Sequence, residues 1–270
     1  MGDRLLVLDV DGTLLDSQHV LRPRVAAVIR RAGTSGFRII LATGKLLSSV
    51  RPLLDEMSIS GPQIVLNGAA TCDSVSGMPL RFAPLDPDAR EATIALVRHF
   101  DPTVLVSCFG LDAIFMDEPH PRSGIFVEYG EGPQPPVLVS NLSAADLPPV
   151  AKVLLHSSHP QLRALRAFMQ DRLPDSVMMT STTPDFLEFF AAQAGKGLAL
   201  ADLRSRLGVE KEDVVAIGDG ENDIPLFGEA GLAIAMASAS SETKAAADRI
   251  APSSDEDGVA VVVEELLPVR

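Results

Sequence analysis

The chain has little cysteine, a deficit of positive charge and no long apolar run. Cys72 and Cys108 are its only cysteines, which excludes a disulfide framework and any zinc-ligand spacing, so both are read as free buried thiols. A net charge of −13 excludes the basic face that a nucleic-acid binder shows to phosphates, and gives no support to attachment on an anionic membrane. No segment approaches the roughly 18 unbroken apolar residues of a membrane span. The opening MGDRLLVLDVDG has no h-region or cleavage pattern. The expectation is a cytoplasmic protein.

What is present is a globular composition, 46% hydrophobic and 22% charged over 270 residues, enough for one large domain or two ordinary ones. Residues 4–9 (RLLVLD) form a short apolar run ending in acid, as in a parallel strand buried on both faces. Pro23 opens a helical pattern through Val25, Val28 and Ile29 that closes near Gly33. A second run, FRIILATGK at 37–45, a helical stretch with Val50, Leu53, Leu54 and Met57, and a third run, QIVLNGA at 63–69, follow. This alternation predicts a doubly wound, Rossmann-like α/β sheet.

From about residue 80 the prolines crowd and the runs shorten, which predicts an inserted α+β unit with helices over 86–100 and 160–172. The βα rhythm returns after about 188: a helix over 197–208, strands over 213–220 and 231–236, and a helix over 240–250. The expected organisation is a core of residues 1–80 and 188–270 interrupted by a second domain at 81–187.

The stretch VLDVDGTLLDS places Asp9 and Asp11 two positions apart, on one side of an extended segment. Such a pair repels unless a cation, a shared proton or solvent offsets it. VVAIGDGENDIPLF repeats the pattern with Asp219, Asn222 and Asp223. In a doubly wound sheet both clusters fall at the carboxyl ends of strands, with Thr43, Lys45 and Asn67. Asp9, Asp11, Asp219 and Asp223 gathered there call for a divalent cation, and hard oxygen donors without His or Cys favour Mg²⁺. Thr43 and the Gly44 backbone can donate to a phosphoryl group, and Lys45 or Lys196 can supply charge. Lys196 lies between two glycines at a helix start, whose partial positive charge also suits an anion.

DVDGTLLD, LATGK, Lys196 before a helix and GDGENDIPLF, in that order, resemble the four motifs of the haloacid dehalogenase-like superfamily. NGA at 67–69, the position and size of the insertion and the tail AIAMASASSETKAAADRIAPSSDEDGV resemble its Cof-type branch, sugar-phosphate phosphatases with a type IIB cap. The resemblance implies Asp9 as nucleophile, forming an aspartyl-phosphate, and Asp11 as general acid and base. It implies Mg²⁺ held by Asp9, the Val10 carbonyl and Asp219, with Asp223 as ligand or support. It also implies that Thr43 and Lys196 neutralise the transferring phosphoryl and that Asn222 orients Lys196 or the phosphate. Lys45 departs from the arginine common in that branch; it keeps the charge and loses the planar fork. The expected activity is a phosphatase for small phosphorylated metabolites, monomeric with a dimer as the alternative. A phosphomutase or phosphotransferase and a non-catalytic phosphate sensor remain as alternatives. His120, His156 and His159 are read as loop and turn residues, and Phe189 and Phe190 as strand core.

Overall fold

The computed structural model describes residues 4–131, 134–144, 146–181 and 183–268. Among them a five-stranded parallel sheet runs in the order Arg249–Ala251, Leu232–Met236, Val214–Gly218, Arg4–Leu8, Phe37–Leu41. Leu5, Leu6, Val7 and Leu8 are all fully buried because the sheet is covered on both faces. Leu5 and Val7 pack with Ala199, Leu200 and Leu203 of the Lys196–Leu207 helix. Leu6 and Leu8 face Val25 and Ile29 of the Pro23–Thr34 helix and Val259 and Val263 of the Gly258–Leu266 helix. Burying each such side chain contributes about 1.5–3 kcal/mol. The fold is the expected doubly wound α/β sandwich.

The strand order places the site. From Arg4–Leu8 the chain goes to one neighbour, Phe37–Leu41, and only much later to the other, Val214–Gly218. Between Arg4–Leu8 and Val214–Gly218 the winding reverses, and a crevice opens beyond their carboxyl ends. Asp9 and Asp219 are the next residues on those two strands, and Asp9 N donates to the Ile217 carbonyl at 2.9 Å.

Two expected elements are corrected. The third apolar run, expected over 63–69, ends as a strand at Val65 and turns over Leu66–Gly68, where Leu66 and Asn67 both have φ of 54°. That strand touches the parallel sheet through the single bridge of Ala42 with Ile64 and the Leu41 N bond to Gln63 Oε1, and pairs antiparallel with Ala70–Asp73. The helix expected over 240–250 stops at Ala245, and Arg249–Ala251 adds a parallel edge strand. Alanines favour helix there, but Asp248 N bonds the Ala233 carbonyl and Ala233 N bonds Asp248 Oδ2, each at 2.9 Å, and this tertiary pairing wins.

A six-stranded sheet, largely antiparallel, follows the order Val177–Thr180, Phe186–Ala191, Lys152–His156, Leu105–Phe109, Ile114–Met116, Val137–Leu138. Helices Pro87–Phe100 and His159–Met169 cover it, burying Ile94, Val97, Leu162 and Leu165. The expected boundary at 188 falls inside Phe186–Ala191, so that strand belongs to this sheet. The excursion that builds it leaves and returns at adjacent points: the Arg81 guanidinium donates to the Gly68 carbonyl at 2.7 Å and also to the Gln193 carbonyl.

Cys72 and Cys108 are buried free thiols, and burial pushes them up to about 11 and about 12, which leaves them inert. Among the described residues no helix is long and apolar enough to cross a membrane.

Candidate active site

After Asp9 the chain turns tightly through Val10–Leu14, with Gly12 at φ 77°. A Cβ at Gly12 would collide with the Asp219 carboxylate, so the glycine is required by backbone conformation and by space together. Thr13 Oγ1 donates to Asp219 Oδ1 at 3.3 Å, and the Val10 carbonyl accepts from Leu15 N at 2.9 Å. Asp11, partly exposed, has Oδ1 3.3 Å from Lys45 Nζ and 3.4 Å from His19 Nδ1.

Lys196 is the electrostatic centre. Its Nζ donates to Asp9 Oδ1 at 2.6 Å and to Asp223 Oδ1 at 2.7 Å, with all three side chains buried. Burial alone would lower the Lys196 ammonium, but Asp223 and Asp9 reverse this and hold it above its ordinary value. Asp223 uses its other oxygen as well, accepting from Asp219 N at 3.0 Å and Gly220 N at 2.9 Å. Burial raises the Asp9 carboxyl well above the usual range; Lys196 opposes this, and Asp223 and Asp219 add to it. Asp219 is pushed up to about 7 by burial and by Asp223.

Asp9, Asp219 and Asp223 offer carboxylate oxygens all within 4.8 Å of one another. One ammonium does not neutralise three carboxylates, two of them buried and Asp219 partly so, and the donor set, all hard oxygen, fits a small divalent cation. The Asp219 shift makes this testable. In the folded protein without a cation its proton is held more tightly than in the unfolded chain, so this contribution to stability is present below about pH 4 and lost as pH rises through about 7. In EDTA the melting temperature is expected to fall from about pH 5 to about pH 8, and Mg²⁺ to restore more at the upper end. A Mg²⁺ increment that does not grow with pH would contradict it.

The acids open onto a cavity of about 40 Å³, space for a few waters only. One wall has Asp9, Asp11, Gly44, Lys45, Asp219 and Asn222; the other has Tyr129, Glu131, Leu154, Thr183, Phe186 and Glu188. Contacts join the walls. Lys45 Nζ donates to the Tyr129 carbonyl, and Lys152 Nζ donates to the Gly44 carbonyl and to Glu188 Oε2, each at 2.7 Å. Asn222 Nδ2 donates to Asn67 Oδ1 at 2.8 Å and Asn67 Nδ2 to Glu188 Oε2 at 2.7 Å. Further out, Arg166 and Glu221 make two parallel bonds of 2.8 and 2.6 Å.

A model of the haloacid dehalogenase-like hydrolases matches residues 6–263, nearly the whole chain. The chain belongs to that family. It is 28% identical over 287 residues to a 5-amino-6-(5-phospho-D-ribitylamino)uracil phosphatase of Bacillus subtilis, covering 98% of each chain. It is 27% identical over 265 residues to a chloroplastic endoribonuclease of Arabidopsis thaliana, but that match spans 93% of this chain and only 44% of the relative. A haloacid dehalogenase-like hydrolase from Bacteroides thetaiotaomicron has the same fold at 26% identity, with a TM-score of 0.83 and coverage of 98% and 99%. This family member is an enzyme, a phosphatase.

Of the residues expected at a haloacid dehalogenase-like site, Asp9, Asp11, Gly44, Lys45, Asp219 and Asn222 line the cavity. Lys196 and Asp223 lie directly behind Asp9. Thr43 is buried, its Oγ1 accepting from Lys45 N at 3.1 Å, and Asn67 is a buried link between Asn222 and Glu188. The far wall carries little sequence signal. Glu188 did leave a signal, a carboxylate in the middle of the apolar strand FLEFFA, whereas Glu131 in a proline-rich loop left none.

Proposed function

We propose that this phosphatase is Mg²⁺-dependent and hydrolyses small phosphate monoesters, sugar phosphates foremost, through an aspartyl-phosphate on Asp9. The observation that carries this is the clamp at the switch point: Lys196 holds Asp9 by its Oδ1, and Asp9 lines a cavity that Asp11 also lines. The relatives named as phosphatases agree with it.

In this reading Asp9 Oδ2 bonds to phosphorus as the ester P–O bond breaks, and Asp11 gives its proton to the departing alkoxide. Asp11 then takes a proton from water as the water oxygen bonds to phosphorus and releases Asp9 and inorganic phosphate. Mg²⁺, held by Asp9, the Val10 carbonyl and Asp219, would neutralise the phosphoryl oxygens. Asp223, with both oxygens engaged by Lys196 and backbone amides, orients those groups. Thr43, Gly44 and Lys196 form the cradle, and Asn222 holds the metal loop against Asn67. The segment from about 81 to about 191 acts as the cap, excluding bulk water when closed. Buried free thiols suit a cytoplasmic setting.

The test is phosphate release from sugar phosphates, nucleotides and p-nitrophenyl phosphate, with Mg²⁺ and with EDTA. Release is expected only with metal, and Asp11→Ala is expected to lower turnover of sugar phosphates about 10²–10⁴-fold. If no ester releases phosphate, or if release persists undiminished in Asp11→Ala, the reading fails.

A further inference from the structure

The cavity has one feature that the phosphoryl chemistry leaves unused. Glu131 is 9% exposed, lines the wall opposite Asp9, and its Oε2 is buried with no hydrogen-bond partner among the described residues. A buried carboxylate oxygen without a partner has lost its hydration with nothing in return, so such an atom beside a cavity points to a donor that arrives with a ligand. Burial pushes the Glu131 carboxyl up, with Lys45 and Lys152 opposing, as expected of a group whose hydration has been removed and not replaced.

The neighbouring cations are already matched. Lys45 is the only cationic residue lining the cavity among the described residues, and it faces Asp11 and the Tyr129 carbonyl. Lys152, behind that wall, is paired with Glu188. A ligand carrying a second anion beyond its phosphate would therefore meet the Glu131 carboxylate with no uncommitted cation to balance it. Phe186 and Tyr129, with ring centroids 4.8 Å apart, add apolar surface beside the carboxylate, suited to the C–H faces of a small carbon skeleton.

Resting on the phosphatase reading above, we propose that Glu131 is a specificity-determining residue, accepting a hydrogen bond from a hydroxyl or ammonium on the leaving-group part of the substrate. The same group disfavours phosphate esters that carry a second anionic group. The favoured class is the monophosphate of a neutral polyol or sugar, or of an amino sugar.

The experiment measures kcat/KM for glucose 6-phosphate, glucosamine 6-phosphate, 6-phosphogluconate and p-nitrophenyl phosphate with the wild type, Glu131→Ala and Glu131→Gln. The wild type is expected to prefer one of the first two over 6-phosphogluconate by tenfold or more. In Glu131→Ala the ratio of that ester's kcat/KM to the aryl ester's is expected to fall about 10- to 100-fold, the loss of a hydrogen bond to a charged group. Taking a ratio on one sample removes any effect of a smaller folded fraction. Glu131→Gln keeps an acceptor oxygen at nearly the same volume. It should hold the ratio for glucose 6-phosphate within about threefold if the donor is a hydroxyl, and lose tenfold or more for glucosamine 6-phosphate if it is an ammonium.

An unchanged ratio in Glu131→Ala, or a wild type that turns over 6-phosphogluconate as well as the other sugar esters, would overturn the assignment. The two readings fail separately. Aryl ester turnover with unchanged ratios sinks only the role of Glu131, and no turnover of any ester by the wild type sinks the phosphatase mechanism.

Discussion

Asp9→Asn loses phosphate release by at least roughly 10⁴-fold, the scale seen when a nucleophile is removed, and folds at least as stably as the parent. The amide matches the carboxylate in shape, and its oxygen still accepts from Lys196, but it has no anionic oxygen to bond phosphorus. Stability is preserved because burial already disfavours the Asp9 charge, and Asp223 and Asp219 oppose it further. A neutral side chain relieves that strain in the metal-free protein. Residual phosphate release and the melting temperature in EDTA together check the claim. Full activity would remove Asp9 as nucleophile.

Lys196→Met has the opposite profile, with loss of fold stability alongside loss of activity. The ammonium is fully buried between Asp9 and Asp223, and its removal leaves two carboxylates facing each other with Asp219 nearby. Removing one partner of a buried ion pair costs about 3–5 kcal/mol. Urea unfolding in EDTA should show a loss of that size, and Mg²⁺ or a second substitution, Asp223→Asn, should recover part of it. Turnover should fall about 10²–10³-fold through loss of phosphoryl stabilisation. A change under about 1 kcal/mol in EDTA would mean that the carboxylates are already protonated and that Lys196 holds nothing together.

The strands that lead into Asp9 and Asp219 are legible because two constraints coincide in them. Arg4–Leu8 and Val214–Gly218 are buried on both faces and so read as unbroken apolar runs, and each gives way to an acid where the sheet ends. Lys196 was legible through its glycine neighbours: Gly195 has φ of 113°, and a Cβ at Gly197 would strike the Pro225 carbonyl. The far wall was not legible, because what matters there is which atoms the long-range pairing brings together. Glu188 meets Asn67 and Lys152 across 121 and 36 residues of sequence. The same limit explains Arg249–Ala251: local preference reads Ala245, Ala246 and Ala247 as continuing helix, while the sheet edge offers Ile250 a partner at Ala235.

The Arg81 junction has a consequence for inheritance. Because the excursion begins and ends beside a single guanidinium, which holds the Gly68 and Gln193 carbonyls together, what lies between can change length or be exchanged without moving the register of the parallel strands. The closure cost of a longer insert grows only slowly with its length. Recombination at these two points would set a new wall opposite Asp9, Asp11, Lys196 and Asp219 while leaving the parallel sheet that carries them unchanged.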